Sequence, residues 1–272
     1  MLIATEADAR RSWPGYLPAG VRMAGLDLLH RARWRVRAPH RRITERFVAH
    51  HGLSVQRGPF AGMRFPRFAV GRGEVLVPQL LGSYEEELHA AFEELSNQPF
   101  GWVVDIGASD GYYAVGMARL WPTAAIVAYE MNPFPTRVCE VLAATNGVRE
   151  RIDLRGECTV SELRALKPDA RTFVLCDCEG GEAELMDPEQ VPWLASATLI
   201  VELHEFASPG VGALLSSRFE SSHTVELIES RRRYVGDYPP LAEVPRVDYI
   251  DRELGVNEFR PVRISWAVLR PR

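Results

Sequence analysis

The chain has 272 residues, of which 46% are hydrophobic and 25% charged, with a formal net charge of −4, an ordinary globular composition with room for one large α/β domain or one domain and an appendage. No apolar run reaches the ~18 residues of a membrane span. The opening Met1-Leu2-Ile3-Ala4-Thr5-Glu6 lacks the basic start and apolar centre of a signal peptide, so the expectation is a cytoplasmic protein with no transmembrane segment.

Charge is unevenly distributed. Residues 1–73 hold fourteen arginines against Glu6, Asp8, Asp27 and Glu45, a balance of +10, which leaves −14 for residues 74–272. This break predicts a basic N-terminal cap region over 1–75 and a main domain over 76–272. Within the cap, residues 20–51 read as helical through Val21, Leu26, Leu28, Leu29, Val36, Ile43, Phe47 and Val48, with Pro39 dividing the stretch into two helices. Residues 58–66, rich in Gly and Pro, read as a turn between short extended segments. A basic helical arm can dock on nucleic acid or anionic lipid. No recognisable nucleic-acid motif accompanies the charge, so the preferred reading is a cap packed on the main domain by its apolar side.

From residue 76 the rhythm changes. Ser83-Tyr84-Glu85-Glu86 has capping-box spacing and predicts a helix through Leu88, Ala91, Phe92 and Leu95 that breaks at Asn97-Gln98-Pro99. Strands are then predicted at Trp102–Ile106, Ala124–Tyr129, Arg151–Leu154, Thr172–Cys178 and Thr198–His204, separated by helices, one of them capped by Thr159-x-x-Glu162. Alternation of this kind implies a parallel sheet with helices on both faces. Two further strands, Thr224–Ile228 and Arg263–Leu269, flank a long Pro-rich, charged segment and are expected to close the sheet as a partly antiparallel pair. Cys176 and Cys178, two apart on a strand, share a face at a spacing that suits packed thiols better than a relaxed disulfide, and no second Cys or His pair gives zinc-like spacing.

The most informative segment is Asp105-x-Gly107-x-x-x-Gly111, where a buried strand gives way to a helix. Glycines there let backbone approach a ligand that a side chain would push away. About 20 residues later Glu130 ends the second strand, where an acid can accept both ribose hydroxyl hydrogens of an adenosine group. The dinucleotide fingerprint Gly-x-Gly-x-x-Gly is absent, as is a Gly-Lys-Ser/Thr P-loop. Asp105 and Asp110 suit a cationic ligand better than a pyrophosphate, and S-adenosylmethionine carries a sulfonium and an ammonium. The expected cofactor surface is Asp105, Gly107, Ala108, Ser109, Asp110, Gly111 and Tyr112 from the turn. Glu130, Met131 and Asn132 follow the second strand, Glu157 the third and Asp177 the fourth, with Tyr84 and Glu85 closing over the methionine end.

Three segments resemble the class I S-adenosylmethionine-dependent methyltransferases, and specifically their FkbM-like group. They are residues 104–113 (VDIGASDGYY), 177–182 (DCEGGE) and 200–205 (IVELHE). The resemblance spans roughly residues 80–205 and none of the basic N-terminal part. It implies a Rossmann-like seven-stranded methyltransferase sheet, mostly parallel with an antiparallel strand near the C-terminus. It also implies methyl transfer from S-adenosylmethionine, often to a hydroxyl of a sugar or natural product.

In open α/β sheets ligands lie beyond the carboxyl ends of the strands. Asp177 and Glu179 are two apart, as are Glu202 and His204, so each pair is expected to share a face. Asp177, Glu202 and His204 are the expected catalytic residues: His204 as the base that removes an acceptor proton, Asp177 orienting the acceptor or the imidazole. An alternative has Asp177, Glu202 and His204 hold a divalent cation that lowers the acceptor's pKa; the preferred reading needs none. Glu182 is expected simply to start the next helix, where negative charge is favourable. The run Arg231-Arg232-Arg233-Tyr234 is a candidate lining of the acceptor site, which would suit an anionic acceptor. The leading function is O-methylation of a sugar or other small hydroxylated metabolite. The alternatives are an RNA or protein methyltransferase docking through the basic arm, and a non-catalytic S-adenosylmethionine-binding module.

Overall fold

A computed structural model describes residues 40–71, 75–169, 171–260 and 262–272. The first helix expected within 20–51, and most of the basic arm, lie outside the described residues.

Helix α1 is described over residues 40–51. Its Ile43 and Phe47 are buried. The chain then folds over on itself through an antiparallel bridge between Ser54 and Arg64. Val55, Phe60, Met63 and Phe65 from this loop join the same core as α1. Helix α2 (Leu76–Leu81) is buried along its whole length. The expected capping box does not form. Ser83 turns to the Pro78 carbonyl, a short 3-10 turn occupies Glu86–Leu88, and α3 starts only at His89 and runs to Ser96. The reason is Glu85, which takes a left-handed conformation (φ 47°) and points into the protein instead of into a helix.

Five parallel strands follow: β1 (Trp102–Ile106), β2 (Ala125–Tyr129), β3 (Ile152–Arg155), β4 (Thr172–Cys176) and β5 (Thr198–Leu203). The helices between them are α4 (Tyr112–Leu120), α5 (Pro133–Thr145), α6 (Val160–Ala165) and α7 (Glu182–Leu185). Thr159 caps α6 as its sequence predicts, accepting from the Glu162 amide at 3.1 Å. After α8 (Val211–Phe219) come β6 (His223–Glu229) and β7 (Ser265–Pro271). The connection between them carries α9 (Pro239–Glu243) and α10 (Tyr249–Val256). The sheet order is β3-β2-β1-β4-β5-β7-β6, with β7 antiparallel to both β5 and β6. The sheet is thus seven-stranded and mostly parallel, with its antiparallel strand near the C-terminus, as expected.

Alternation along the strands divides the core in two. Val103, Ile126, Phe173, Ile200 and Trp266 face the layer built by α1, the 53–65 loop, α2 to α5 and the β6–β7 connection. Val104, Val127, Val174, Val201 and Ala267 face α6 to α8. Because the side-chain period on a strand is two, Asp105 follows Val103 and Glu202 follows Ile200 onto the first face. The polar groups of the strand ends therefore open beneath the segments contributed by the two ends of the chain.

No helix among the described residues is long and apolar enough to cross a membrane. Cys139, Cys158, Cys176 and Cys178 are free thiols, as expected, with the sulfurs of Cys176 and Cys178 3.7 Å apart.

Candidate active site

Gly107, Glu130, Asp177 and His204 all stand immediately past the carboxyl ends of β1, β2, β4 and β5, so the topology gathers them at one edge of the sheet. The glycine turn has a different physical reason from the one its sequence suggests. Gly107 adopts φ +88°, and a Cβ there would lie 1.7 Å from the Asp177 carbonyl oxygen. At Gly111 (φ +91°) a Cβ would lie 2.5 Å from the Cys139 sulfur. Both glycines are required by contacts inside the protein: one lets β1 and β4 close up at their ends, the other seats α4 on α5.

The turn is not a phosphate cradle. The amides of Gly107 and Ala108 both donate to the Tyr129 carbonyl (3.0 and 2.9 Å), that of Gly111 to Ala108 (2.8 Å) and that of Ser109 to Glu130 Oε2 (3.0 Å). Phosphate loops work by leaving such amides free. Glu130 also accepts from the Asn132 amide at 2.6 Å, so its carboxylate ties the turn after β1 to the turn after β2. A carboxylate accepts at about four lone-pair positions, and two of these are used. Beneath the turn Asp105 is buried, and its Oδ2 has no hydrogen-bond partner. Burial, then the charge of Glu130, push the Asp105 carboxyl up to about 7.

The remaining expected cofactor residues are more varied. Tyr112 packs edge-on against Phe60 and Tyr84, with ring centroids 5.4 and 5.3 Å away, and so joins the cap to the sheet. Asn132 caps α5 by accepting from the Phe134 amide at 3.0 Å. Met131 and Glu157 are exposed in the loops after β2 and β3, and Ser109 and Asp110 lie at the surface of the turn.

At the β4–β5 edge, His204 is buried with one ring nitrogen held and the other facing acids. Nδ1 lies 2.6 Å from Glu182 Oε1, and Nε2 lies 3.5 Å from Asp177, 3.6 Å from Glu179 and 3.7 Å from Glu202. These Nε2 distances are too long for direct hydrogen bonds. Glu182 is therefore not merely a helix start, and it, not Asp177, orients the imidazole. Its Oε1 also accepts from the Gly180 amide at 3.1 Å, and the side chain is fully buried. Burial opposes charge on His204, but the hydrogen bond and charge of Glu182, with Glu202 and Glu179 beyond, outweigh it and raise the imidazole's pKa. Burial likewise opposes charge on Glu182, while the His204 bond and local amides hold its pKa below the ordinary value. Asp177 is different: burial and the charges of Glu202, Glu85 and Glu179 raise its pKa well above the carboxylate norm. The strand β4 ends at Cys176, so Asp177 and Glu179 converge through the turn, where Glu179 is left-handed (φ 58°), and not by strand alternation.

Sequence reasoning missed Arg260. It donates to Glu202 at 2.8 Å, to Glu258 at 2.9 Å and to Glu85, whose other oxygen accepts from the Tyr113 hydroxyl. Glu85, expected to close over a ligand, is thus already held inside the protein. Asp177, Glu179 and His204 form one group close enough to hold a cation, and Glu85, Asp177 and Glu202 another. In the second group the Arg260 guanidinium already lies on two of the three carboxylates. Arg231 and Arg233 do not line an anion site either. Arg231 pairs with Glu86, and the buried Arg233 bonds Glu87 (2.7 Å) and Glu258 (2.9 Å). Together these arginines brace the β6–β7 connection against the 83–87 segment. Within the described part of the basic arm, Arg42 pairs with Asp251 and Arg57 with Glu86.

No family model matches the chain, and no curated protein matches its sequence. Among solved structures, the chain is similar to an rRNA methylase from Streptococcus thermophilus (10% identity, 68% of this chain, 96% of that one, TM-score 0.48). It is also similar to a precorrin-6y C5,15-methyltransferase from Geobacter metallireducens (17%, 68% and 87%, 0.45). A third is an O-methyltransferase from Bacillus cereus, crystallised with S-adenosylhomocysteine (12%, 65% and 78%, 0.43).

Proposed function

We propose that the protein is an S-adenosylmethionine-dependent methyltransferase of the class I type, in the FkbM-like group, and that it methylates a hydroxyl of a sugar or another small metabolite. The observation that carries this reading is the pairing of Glu130 with the glycine turn above the buried Asp105, in a turn where the amides of Gly107, Ala108, Ser109 and Gly111 are already bonded within the protein. These acidic acceptors repel a pyrophosphate and fit an adenosyl ligand with positive charge. Glu130 keeps lone pairs for the ribose hydroxyls, and a nearby cation would offset the burial that holds the Asp105 proton. S-adenosylmethionine supplies an electrophilic methyl group when bound.

The chain's own task is then to align the acceptor and take its proton. With Nδ1–H given to Glu182, His204 presents the Nε2 lone pair to the space between Asp177, Glu179 and Glu202. An acceptor hydroxyl placed there donates to Nε2. The proton moves to the imidazole, and Glu182 stabilises the resulting cation. Asp177, with its raised pKa, can donate a hydrogen bond to the acceptor as a neutral acid. Burial raises the pKa of both Glu85 and Glu202, and the Arg260 guanidinium offsets part of that rise while holding the two side chains in place. The arrangement needs no divalent cation, and the acidic surroundings favour a neutral acceptor over an anionic one.

A screen of hydroxylated metabolites with labelled methyl donor, run with Mg²⁺ and with a chelator, tests this reading. Label transfer that survives chelation and is lost in His204→Ala is the expected result. Transfer only to RNA or protein, or undiminished transfer in His204→Ala, contradicts it.

A further inference from the structure

A second set of metal-ligating side chains lies away from this site, where α1 ends against the β6–β7 connection. His50 and His51 are the last two residues of α1, and Glu243 is the last of α9. One ring nitrogen of each histidine and one Glu243 oxygen lie within 4.8 Å of one another. Consecutive residues on a helix diverge by about 100°, since a turn takes 3.6 residues. Here the two imidazoles instead meet edge to face, with centroids 4.6 Å apart.

The His51 ring is also fixed as a ligating histidine is fixed. Its Nε2 lies 2.7 Å from the Pro240 carbonyl, so Nε2 carries the proton and Nδ1 keeps a lone pair. A backbone carbonyl on the far nitrogen is how proteins set the tautomer and orientation of metal-bound histidine. The buried Phe47, with its ring centroid 4.8 Å from that of His51, packs against the same ring. His50 and Glu243 remain exposed, open to an ion from solvent.

We propose that His50, His51 and Glu243 bind one divalent transition-metal cation of the zinc class, with water completing a tetrahedral shell. Two imidazole nitrogens and one carboxylate oxygen suit Zn²⁺, and they suit the hard, oxygen-seeking Mg²⁺ and Ca²⁺ poorly. The ion would clasp the end of α1 to α9, while nearer the other end of α1 the Arg42–Asp251 pair joins it to α10 at 2.5 Å. It thereby fastens the N-terminal cap to the connection that carries Arg233, Glu258 and Arg260. This site is independent of the methyl-transfer reading.

The test is calorimetric titration of the chelator-treated full chain with Zn²⁺ alone, together with its melting temperature with and without Zn²⁺. Both His50 and Glu243 are exposed, so His50→Ala and Glu243→Gln leave the packing intact. Wild type is expected to bind Zn²⁺ and to melt at a higher temperature in its presence. His50→Ala should lose that binding and that shift, and Glu243→Gln should weaken the binding at least about tenfold. His204→Ala, which alters the other imidazole–carboxylate cluster, should keep both, and excess Mg²⁺ should not displace the ion. No zinc binding by wild type, an unchanged isotherm in His50→Ala, loss in His204→Ala alone, or displacement by Mg²⁺ would each overturn the proposal.

Discussion

Replacing Glu182 by Gln isolates the charge that orients His204. The two side chains are 2.6 Å apart and almost without solvent exposure, 0% for Glu182 and 3% for His204, so the bond is little screened. A hydrogen bond between charged partners in such a setting is worth about 1.5–3 kcal/mol. At 1.36 kcal/mol per pKa unit, its loss lowers the His204 pKa by about 1–2 units. Glutamine keeps an acceptor for Nδ1–H, so the ring stays in place while the charge goes. The assay is NMR titration of the His204 imidazole, which needs no knowledge of the acceptor. Stability gives a second readout. Because the His204 pKa is raised in the fold, its contribution is complete below about pH 6.5, the unfolded value. That contribution fades as pH rises through the raised pKa. Because the Glu182 pKa is depressed, its own contribution is present above the unfolded carboxylate value and is lost as pH falls through the folded one. The denaturation midpoints of wild type and Glu182→Gln should therefore differ most near pH 5–6, and the difference should narrow as pH rises through the raised His204 pKa, by the same unfolded reference values. A folded variant with an unchanged His204 pKa would refute the assignment of Glu182.

Gly107→Ala should destabilise the protein by more than about 2 kcal/mol, from left-handed strain together with a clash against a neighbouring strand end. The clash is the 1.7 Å approach to the Asp177 carbonyl, and a chemical-denaturation midpoint close to wild type would contradict it. Arg260→Met leaves the buried carboxylates Glu85 and Glu202 without their cation. It should cost about 3–5 kcal/mol, the usual penalty for removing one partner of a buried ion pair. Equal stability of Arg260→Met and wild type across neutral pH would show that these carboxylates do not rely on Arg260.

The strand positions were legible in the sequence because β1, β2, β4 and β5 are largely apolar runs, while the edge strand β3 (Ile152–Arg155) alternates apolar and charged residues. β1 was located to the residue, and β4 and β5 ended one or two residues early only because Asp177 and His204 turn out of the sheet. The edge that gathers Glu130, Asp177 and His204 follows from that topology. What spacing could not reveal is partnership across the chain. Arg260 is 175 residues from Glu85 and 58 from Glu202, and Glu182 is 22 from His204. The arginines at 231 and 233 looked like an open basic run, because nothing local shows that Glu86 and Glu87 would meet them. Ser83 failed as a cap for a similar reason. The neighbouring Glu85 is pulled inward by Arg260 and Tyr113, and that long-range bond outweighs a local capping preference.

The central claim is the identity of the ligand at the glycine turn. Calorimetric titration of the full chain with S-adenosylmethionine, and with its demethylated product, tests it most directly. The expected result is saturable binding of both, weakened about 10- to 100-fold in a folded Glu130→Ala variant, the equivalent of one or two lost charge-assisted hydrogen bonds. No binding by wild type, or undiminished binding by Glu130→Ala, would contradict the account.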